Sequence, residues 1–460
     1  MGPPRATEPG SGAEPRLIMN SRLVDCLATT DALAEVFSDE SVLGAMLGFE
    51  AALARASAQA GVVPAAAAAV ITEAAARGGF NASDIATEAP SGATPAIPFV
   101  KALRARVREM DPAAAAYVHA GATSQDVTDT AMVLLLRRAH QIISADHERL
   151  EGALRALSER HAGTAMLGRT LLQPATPTTF GLKVAAWTAP IVRSWRRLDR
   201  AWTRAMVIQL GGAAGTLAAL GDSGPPIAES AARDLDLRPV PPWHTDRDRF
   251  GTLIAGCGLY VAALGKAARD VALLMQAEVQ EAAEPGGGSS SMPQKRNPSG
   301  CALVLAAAAR TPGLVASYLT AMTQEQERGI GGIQAEWPIV SATVQSTGAA
   351  VAALASVIEG LAVDPGRMRA NLEATGGTIF AERAVLLLAP SLGRDRAEQL
   401  VADAITASRS SEMPFAAALK AATGAEKGIP PGVLDGIDEP GGYLGSAERF
   451  RTQLLSQSDE

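Results

Sequence analysis

Cysteine is scarce in this chain. Cys26, Cys257 and Cys301 are an odd number, far apart and without a CxxC pair. That excludes a disulfide framework and points to reduced core thiols in a cytoplasmic protein. The histidines, His119, His140, His147, His161 and His244, fall in no HExxH or similar spacing, so no metal is expected. The run Gly211-Gly-Ala-Ala-Gly215 has neither a preceding strand pattern nor a dinucleotide context, which excludes a Rossmann reading; no cofactor is expected. Aromatic residues make up only 4% of the sequence and β-branched clusters are few, which argues against a sheet-rich fold. Positive charge does not dominate. The formal net charge of −7 argues against nucleic acid or an anionic membrane as a partner. The apolar stretch Met206 to Leu220 is short and broken by Gln209, Gly211, Gly212 and Gly215, so it is not a membrane span. Residues 1–16 are rich in proline, glycine and charge; they read as a disordered tail and lack the apolar centre of a signal peptide.

What the chain does have is aliphatic material, with hydrophobic residues at 47% and alanine dominant. Alanine, leucine and arginine favour helix, so the expected fold class is all-α. Apolar positions recur at helical spacing from Val24 to about Arg77, and helix resumes from Phe99 to Arg108. Between them, residues 80–98, with Pro90, Gly92, Pro95 and Pro98, read as a long connection. Leu253, Cys257, Tyr260, Leu264, Ala267, Val271 and Leu274 repeat at three and four residues, with no proline between Pro242 and Pro285. A helix of about 35 residues is predicted there, on the order of 50 Å long. Such a helix fits a multi-helix bundle shared between subunits, or one long core helix within a single chain. From about Asp364 the helical patterns are shorter and more often broken. The expected organisation is an N-terminal helical domain at 17–113, a central helical bundle at 114–364 and a small helical domain at 365–460.

Chemistry concentrates in Gly286-Gly-Gly-Ser-Ser-Ser-Met-Pro-Gln-Lys-Arg-Asn-Pro298. Three glycines give a mobile loop, and Asn297-Pro298 reads as an N-cap with a first-turn proline leading into the helix around Cys301 to Arg310. A plain Gly/Ser linker does not carry hydroxyls, a cation and an amide so closely packed. A second cluster, Gly121-Ala-Thr-Ser-Gln-Asp126, precedes another apolar helix. Thr123 and Ser124 stand there either as ordinary caps or, with the free backbone N–H groups, as a carboxylate site.

The loop resembles the signature of the fumarase/aspartase superfamily, Gly-Ser-Ser-x-Met-Pro-x-Lys-x-Asn, which Gly288 to Asn297 match at every fixed position. The resemblance implies a three-domain fold whose central long helices form the core of a homotetramer with shared active sites. It carries the role of catalytic base to Ser289, and those of carboxylate and carbanion binders to Lys295 and Asn297, with Met292 as a further substrate contact. It also turns the reading of Thr123 and Ser124 toward carboxylate binding. Gly168 to Gly181 is similar to the second signature block, which assigns substrate contacts to Thr170 and Gln173. Leu171, however, occupies the place of the family's histidine. Ala302 stands where the carboxylate partner of that histidine belongs, so the acid dyad is missing at both ends.

The segments Pro242 to Arg249 and Gln324 to Trp337 are similar to the carboxymuconate cycloisomerase branch. They bring in His244, as an acid, a substrate contact or a structural histidine, and Arg328, as a holder of a distal carboxylate or a surface ion pair. Ala93-Thr94, Ala120 and Pro174 depart from the usual pattern of that branch and leave the substrate open. The implied chemistry is removal of a proton next to a carboxylate of a small di- or tricarboxylate. Lys295, Asn297 and backbone N–H groups would stabilise the doubly negative aci-carboxylate, while a closing loop would shield and activate Ser289. Without the dyad, a leaving group must depart unaided. The expectation is therefore elimination from a nitrosuccinate-like substituted succinate to give fumarate. The alternatives are 3-carboxy-cis,cis-muconate lactonisation and a non-catalytic, crystallin-like scaffold.

Overall fold

The computed structural model describes residues 23–288, 291–411 and 413–456. The expected tail at 1–16 and Ser289 lie outside the described residues. The fold is all-α. The N-terminal part comprises α1 (Asp31–Val36), α2 (Asp39–Gln59), α3 (Ala65–Arg77), α4 (Ala82–Gly92) and α5 (Ala96–Met110). The middle holds α6 (Ser124–Arg160), α7 (Phe180–Ala205), α8 (Gly224–Asp234), α9 (Asp248–Leu274), α10 (Ser299–Ala321) and α11 (Gly332–Glu359). Then follow α12 (Pro365–Glu373), α13 (Ala381–Leu392), α14 (Arg394–Ser411), α15 (Phe415–Thr423) and α16 (Ala447–Ser456). A hairpin of β1 (Ala165–Thr170) and β2 (Gln173–Thr179) joins α6 to α7, and two-residue strands β3 (Ala282–Ala283) and β4 (Ala362–Val363) pair antiparallel.

Two sequence readings are corrected here. Residues 80–98 are not one long connection. Asn81 accepts the Ser83 N–H and starts α4, which carries Pro90 near its end, and Pro95 precedes the first turn of α5. The long helix after Pro242 has 27 residues rather than about 35, because Pro242 to Arg247 are drawn into a buried polar cluster instead. The longest helix is α6, with 37 residues.

Helices α6, α7, α9, α10 and α11 pack along one another to form the bundle. Small residues set the spacing. A Cβ on Gly265 of α9 would meet the Ala308 side chain of α10 at 2.8 Å, so larger side chains would push the two helices apart. One continuous apolar core runs from Leu33 to Met368, and a second cluster, from Ala384 to Ile437, belongs to α13–α15 and the turn after them. Met368 of α12 thus packs with the main core, although the sequence places it just inside the last domain. Helices α9, α10 and α11 are each long and apolar enough to cross a membrane by length and composition. In α9 and α11 the most apolar stretch is 56% buried inside the chain; in α10 it is 22% buried, which leaves an apolar helix face outward.

Candidate active site

The first cluster is built around the start of α6. Gly121 has φ +76°, and a Cβ there would meet the Leu220 side chain at 2.5 Å, so this turn requires glycine. The Thr123 N–H donates to the Asp126 carboxylate at 2.9 Å, one half of a capping box. Asp126 is fully buried and carries more than the cap. It accepts from Gln209 Nε2 at 2.9 Å and from the N–H groups of Gly211 at 3.0 Å and Gly212 at 2.9 Å, and it lies 3.0 Å from His244 Nε2. The glycine-rich run is therefore a donor platform for one carboxylate. His244 is 4% exposed and bridges Asp126 to Gln125, whose Nε2 donates to the His244 carbonyl at 2.7 Å. This gives His244 a structural post.

With Asp126 turned inward, the hydroxyls of Thr123 and Ser124 are held by Arg328. Its two terminal nitrogens donate to Thr123 Oγ1 at 2.7 Å and Ser124 Oγ at 2.8 Å. Both hydroxyl residues line a cavity of about 560 Å³ together with His119, Lys101, Arg104 and Arg108. Further along α6, the Arg247 guanidinium pairs with Asp129 at 2.8 Å and also with Glu336 of α11. It is 2% exposed and sits over the Trp243 ring at 4.7 Å. Burial works against its charge, but the two carboxylates prevail and raise its pKa. The starts of α9 and α11 are thereby pinned to α6.

Thr170 and Gln173 face each other across the hairpin tip. The two residues between them, Leu171 and Leu172, have φ +51° and +65°. Positive φ at both central positions is the geometry usually supplied by Asn-Gly. Here it is made by two leucines that are 97% and 71% exposed. Below the tip, Arg169 forks onto the buried Glu281 at 2.9 and 2.7 Å, and Asn371 donates to the same carboxylate at 2.8 Å.

In the signature loop, the Asn297 N–H donates to the Gly287 carbonyl at 2.6 Å, and Asn297 Nδ2 reaches the Gly288 carbonyl at 3.4 Å. Gly287 has φ +72°, and a Cβ there would fall 1.9 Å from the Asn297 oxygen, so the two stems can approach only at glycine. The Lys295 N–H donates to the Met292 carbonyl at 3.0 Å; the Lys295 side chain is exposed, and Met292 is 43% exposed. The expected cap is corrected. Pro298, not Asn297, precedes the helix, and Glu284 caps it from across the loop by accepting from the N–H groups of Gly300 and Cys301. Burial, reinforced by Glu284, pushes the Cys301 thiol up, so it is a neutral packing group.

The fold thus brings Thr123, Ser124 and Arg328 together, sets Thr170 beside Gln173 on the hairpin, and gathers Met292, Lys295 and Asn297 in the loop. Among the described residues, no hydrogen bond joins Lys295 or Asn297 to Thr123, Ser124 or Arg328. Asp126, Glu284 and His119 were missed as contributors. Asp126 and His119 flank the Thr-Ser pair in sequence, and that proximity was the available signal. Glu284 offered none, since its partners lie beyond the loop.

The family model described as Lyase matches residues 26–313. The chain is 42% identical to the 3-carboxy-cis,cis-muconate cycloisomerase of Bradyrhizobium diazoefficiens, over 95% of this chain and 98% of that one. It is 39% identical to the nitrosuccinate lyase of Streptomyces davaonensis, over 94% of this chain and 93% of that one. Its fold is similar to that of the 3-carboxy-cis,cis-muconate lactonizing enzyme of Pseudomonas putida, with a TM-score of 0.88 at 40% identity, covering 94% of this chain and 98% of the other.

Proposed function

The chain belongs to the fumarase/aspartase superfamily of lyases, and from that premise we propose that it is a cycloisomerase acting on 3-carboxy-cis,cis-muconate or a close analogue. The observation that carries this reading is the likeness to cycloisomerases in sequence and fold over nearly the whole chain. It is compatible with Leu171 on the exposed hairpin tip and Ala302 in α10 standing where the resemblance places the acid dyad. Lactonisation needs no acid to release a leaving group. A substrate carboxylate oxygen forms a C–O bond to one carbon of the conjugated chain, and the displaced electron pair moves to the neighbouring carbon, next to another carboxylate. That charge spreads into an aci-carboxylate facing Lys295 and Asn297. Ser289 delivers the proton to carbon and is reprotonated from solvent, so one proton is consumed overall. The high identity to a cycloisomerase over nearly the full chain supports this direction.

Elimination from a nitrosuccinate-like substrate is the second reading. The same missing acid suits nitrite, which departs as a stable anion, and a nitrosuccinate lyase is nearly as similar in sequence. The sequence alone tips toward elimination; the relatives and the solved fold weigh more on the side of lactonisation.

The working unit we propose is a homotetramer with shared active sites. The outward apolar face of α10, the exposed leucines of the hairpin and the three separate groups of site residues all support it. Incubation with carboxymuconate and with a panel of substituted succinates tests the reading. Lactone without nitrite supports the cycloisomerase, fumarate with nitrite transfers the assignment to elimination, and no turnover of either removes both.

A further inference from the structure

His119 lines the cavity beside Thr123 and Ser124, and its surroundings are unusual. Its φ is +61°, a left-handed backbone that side chains rarely adopt. Its Nδ1 lies 2.5 Å from Glu50 Oε1. Glu50 sits inside α2 with its side chain 1% exposed, and its second oxygen is buried without a partner. A carboxylate so enclosed needs a positive neighbour, and the imidazole is the one it touches. Burial works against a charge on His119. Glu50 outweighs it through charge and hydrogen bond, Asp126 adds to the effect and Arg104 subtracts, and the pKa of His119 ends above its ordinary value.

With Nδ1 committed to Glu50, the donor left for a ligand is Nε2, on the other side of the ring. The side chain is 14% exposed, enough to offer one edge to the cavity. Arg104, Lys101 and Arg108 on α5 line the same space, and Arg328 reaches its margin through Thr123 and Ser124. Lys101 is already paired with Glu88, and Arg104 donates to the Val118 carbonyl. His119 differs from these three in being fixed in place, held by a partner that solvent does not reach.

We propose that His119 binds the substrate carboxylate remote from the reacting carbon, and that Glu50 is the positioning residue that keeps its imidazole charged and aimed. The inference rests on the reading that the substrate is a small di- or tricarboxylate. It makes the cavity a selector for a second carboxylate.

Calorimetric titration of the full-length protein with tricarballylate, a saturated tricarboxylate that can neither lactonise nor eliminate, tests it. His119→Asn suits the left-handed backbone, and Glu50→Gln keeps shape while removing charge. Each should weaken binding at least tenfold, with melting temperature and gel-filtration elution close to wild type. Glu50→Gln should regain affinity as pH is lowered and His119 takes up a proton without help; His119→Asn should not. Wild-type affinity should fall as pH rises through the raised pKa of His119, which shares its surroundings with Glu50, Asp126, Arg104, Lys101, Arg108 and Arg328. Should either variant fold poorly, Glu50→Asp and that wild-type pH profile carry the comparison. Unchanged affinity in a folded His119→Asn protein, or a flat wild-type profile, overturns the proposal. If His119 governs tricarballylate binding while no carboxymuconate or succinate is turned over, the functional reading falls and this one stands.

Discussion

The Glu284 carboxylate accepts the Gly300 N–H at 2.7 Å, which ties the entry of the signature loop to the first turn of the helix that follows it. The adjacent Cys301 N–H donates to the other oxygen at 3.1 Å, so one buried side chain closes the loop at its base. The first turn of α10 is thereby held at Glu284, independently of the segment that follows Pro285. Glu284→Ala should leave two helix N–H groups without a partner and lower stability by about 1–2 kcal/mol, the usual cost of a lost cap. It should also lower kcat more than it raises KM, because closure is disturbed more than substrate entry. Limited proteolysis of the loop, faster in the variant, is the companion measurement; equal cleavage rates would count against a tie at this point.

Arg328 reaches both hydroxyls of the Thr123–Ser124 pair through a planar fork, a geometry lysine cannot copy. Hydrogen bonds to a charged group are worth about 1.5–3 kcal/mol. Arg328→Lys should therefore cut kcat/KM by roughly ten- to a hundredfold. Because Arg328 is exposed, its melting temperature should stay near wild type. A variant with wild-type kcat/KM would return Arg328 to the role of a surface contact.

Arg247 should behave in the opposite way, with a large effect on stability. Its removal leaves Asp129 and Glu336 facing each other in a buried site, and breaking such a pair costs about 3–5 kcal/mol. In the intact protein the Glu336 carboxyl already lies above its ordinary pKa, because burial outweighs the pull of Arg247. Without Arg247 the Glu336 carboxyl rises further. A group whose folded pKa is raised gives its stabilisation at low pH and loses it as pH climbs through that value. The melting-temperature deficit of Arg247→Met should therefore shrink as pH drops from neutrality toward the carboxylate range. A deficit independent of pH would mean that packing on Trp243 and Phe250, rather than charge, explains the loss.

The helical class of the fold was legible because alanine and leucine recur at helical spacing over most of the chain. The site was legible where chemistry is local, as in the Thr123–Ser124 pair and the loop carrying Lys295 and Asn297. What stayed hidden depends on distant partners. Pro90 reads as a break, yet it is tolerated near the end of α4, where packing against α5 holds the turn. Asn297 reads as a cap, but Glu284 takes that place through contacts sixteen and seventeen residues away. The Gly211–Gly215 run made sense only once Asp126 was seen to need its N–H groups. His119 looked like one of several scattered histidines until α2 brought Glu50 against it.

The hairpin tip offers the clearest separation of stability from activity. Leu171 and Leu172 both hold positive φ, at +51° and +65°, in a two-residue turn. For an L side chain, left-handed backbone costs roughly 1–2 kcal/mol per residue. Both leucines are exposed within the single chain, so its own packing does not repay that cost. A strained, apolar and exposed tip suits a contact outside the chain, and a neighbouring subunit's site is the place the proposed tetramer provides. Replacing Leu171-Leu172 by Asn-Gly supplies the residues this turn prefers. In isolated chains, for example at high dilution, the double variant should be more stable by about 2–4 kcal/mol, the strain that is relieved. In the assembled protein it should lose most of its turnover and elute partly as smaller species. Calorimetry across a dilution series, with activity read on the same samples, checks both halves. A variant that gained stability while keeping full activity and full assembly would show that the leucines serve neither the site nor the subunit contact.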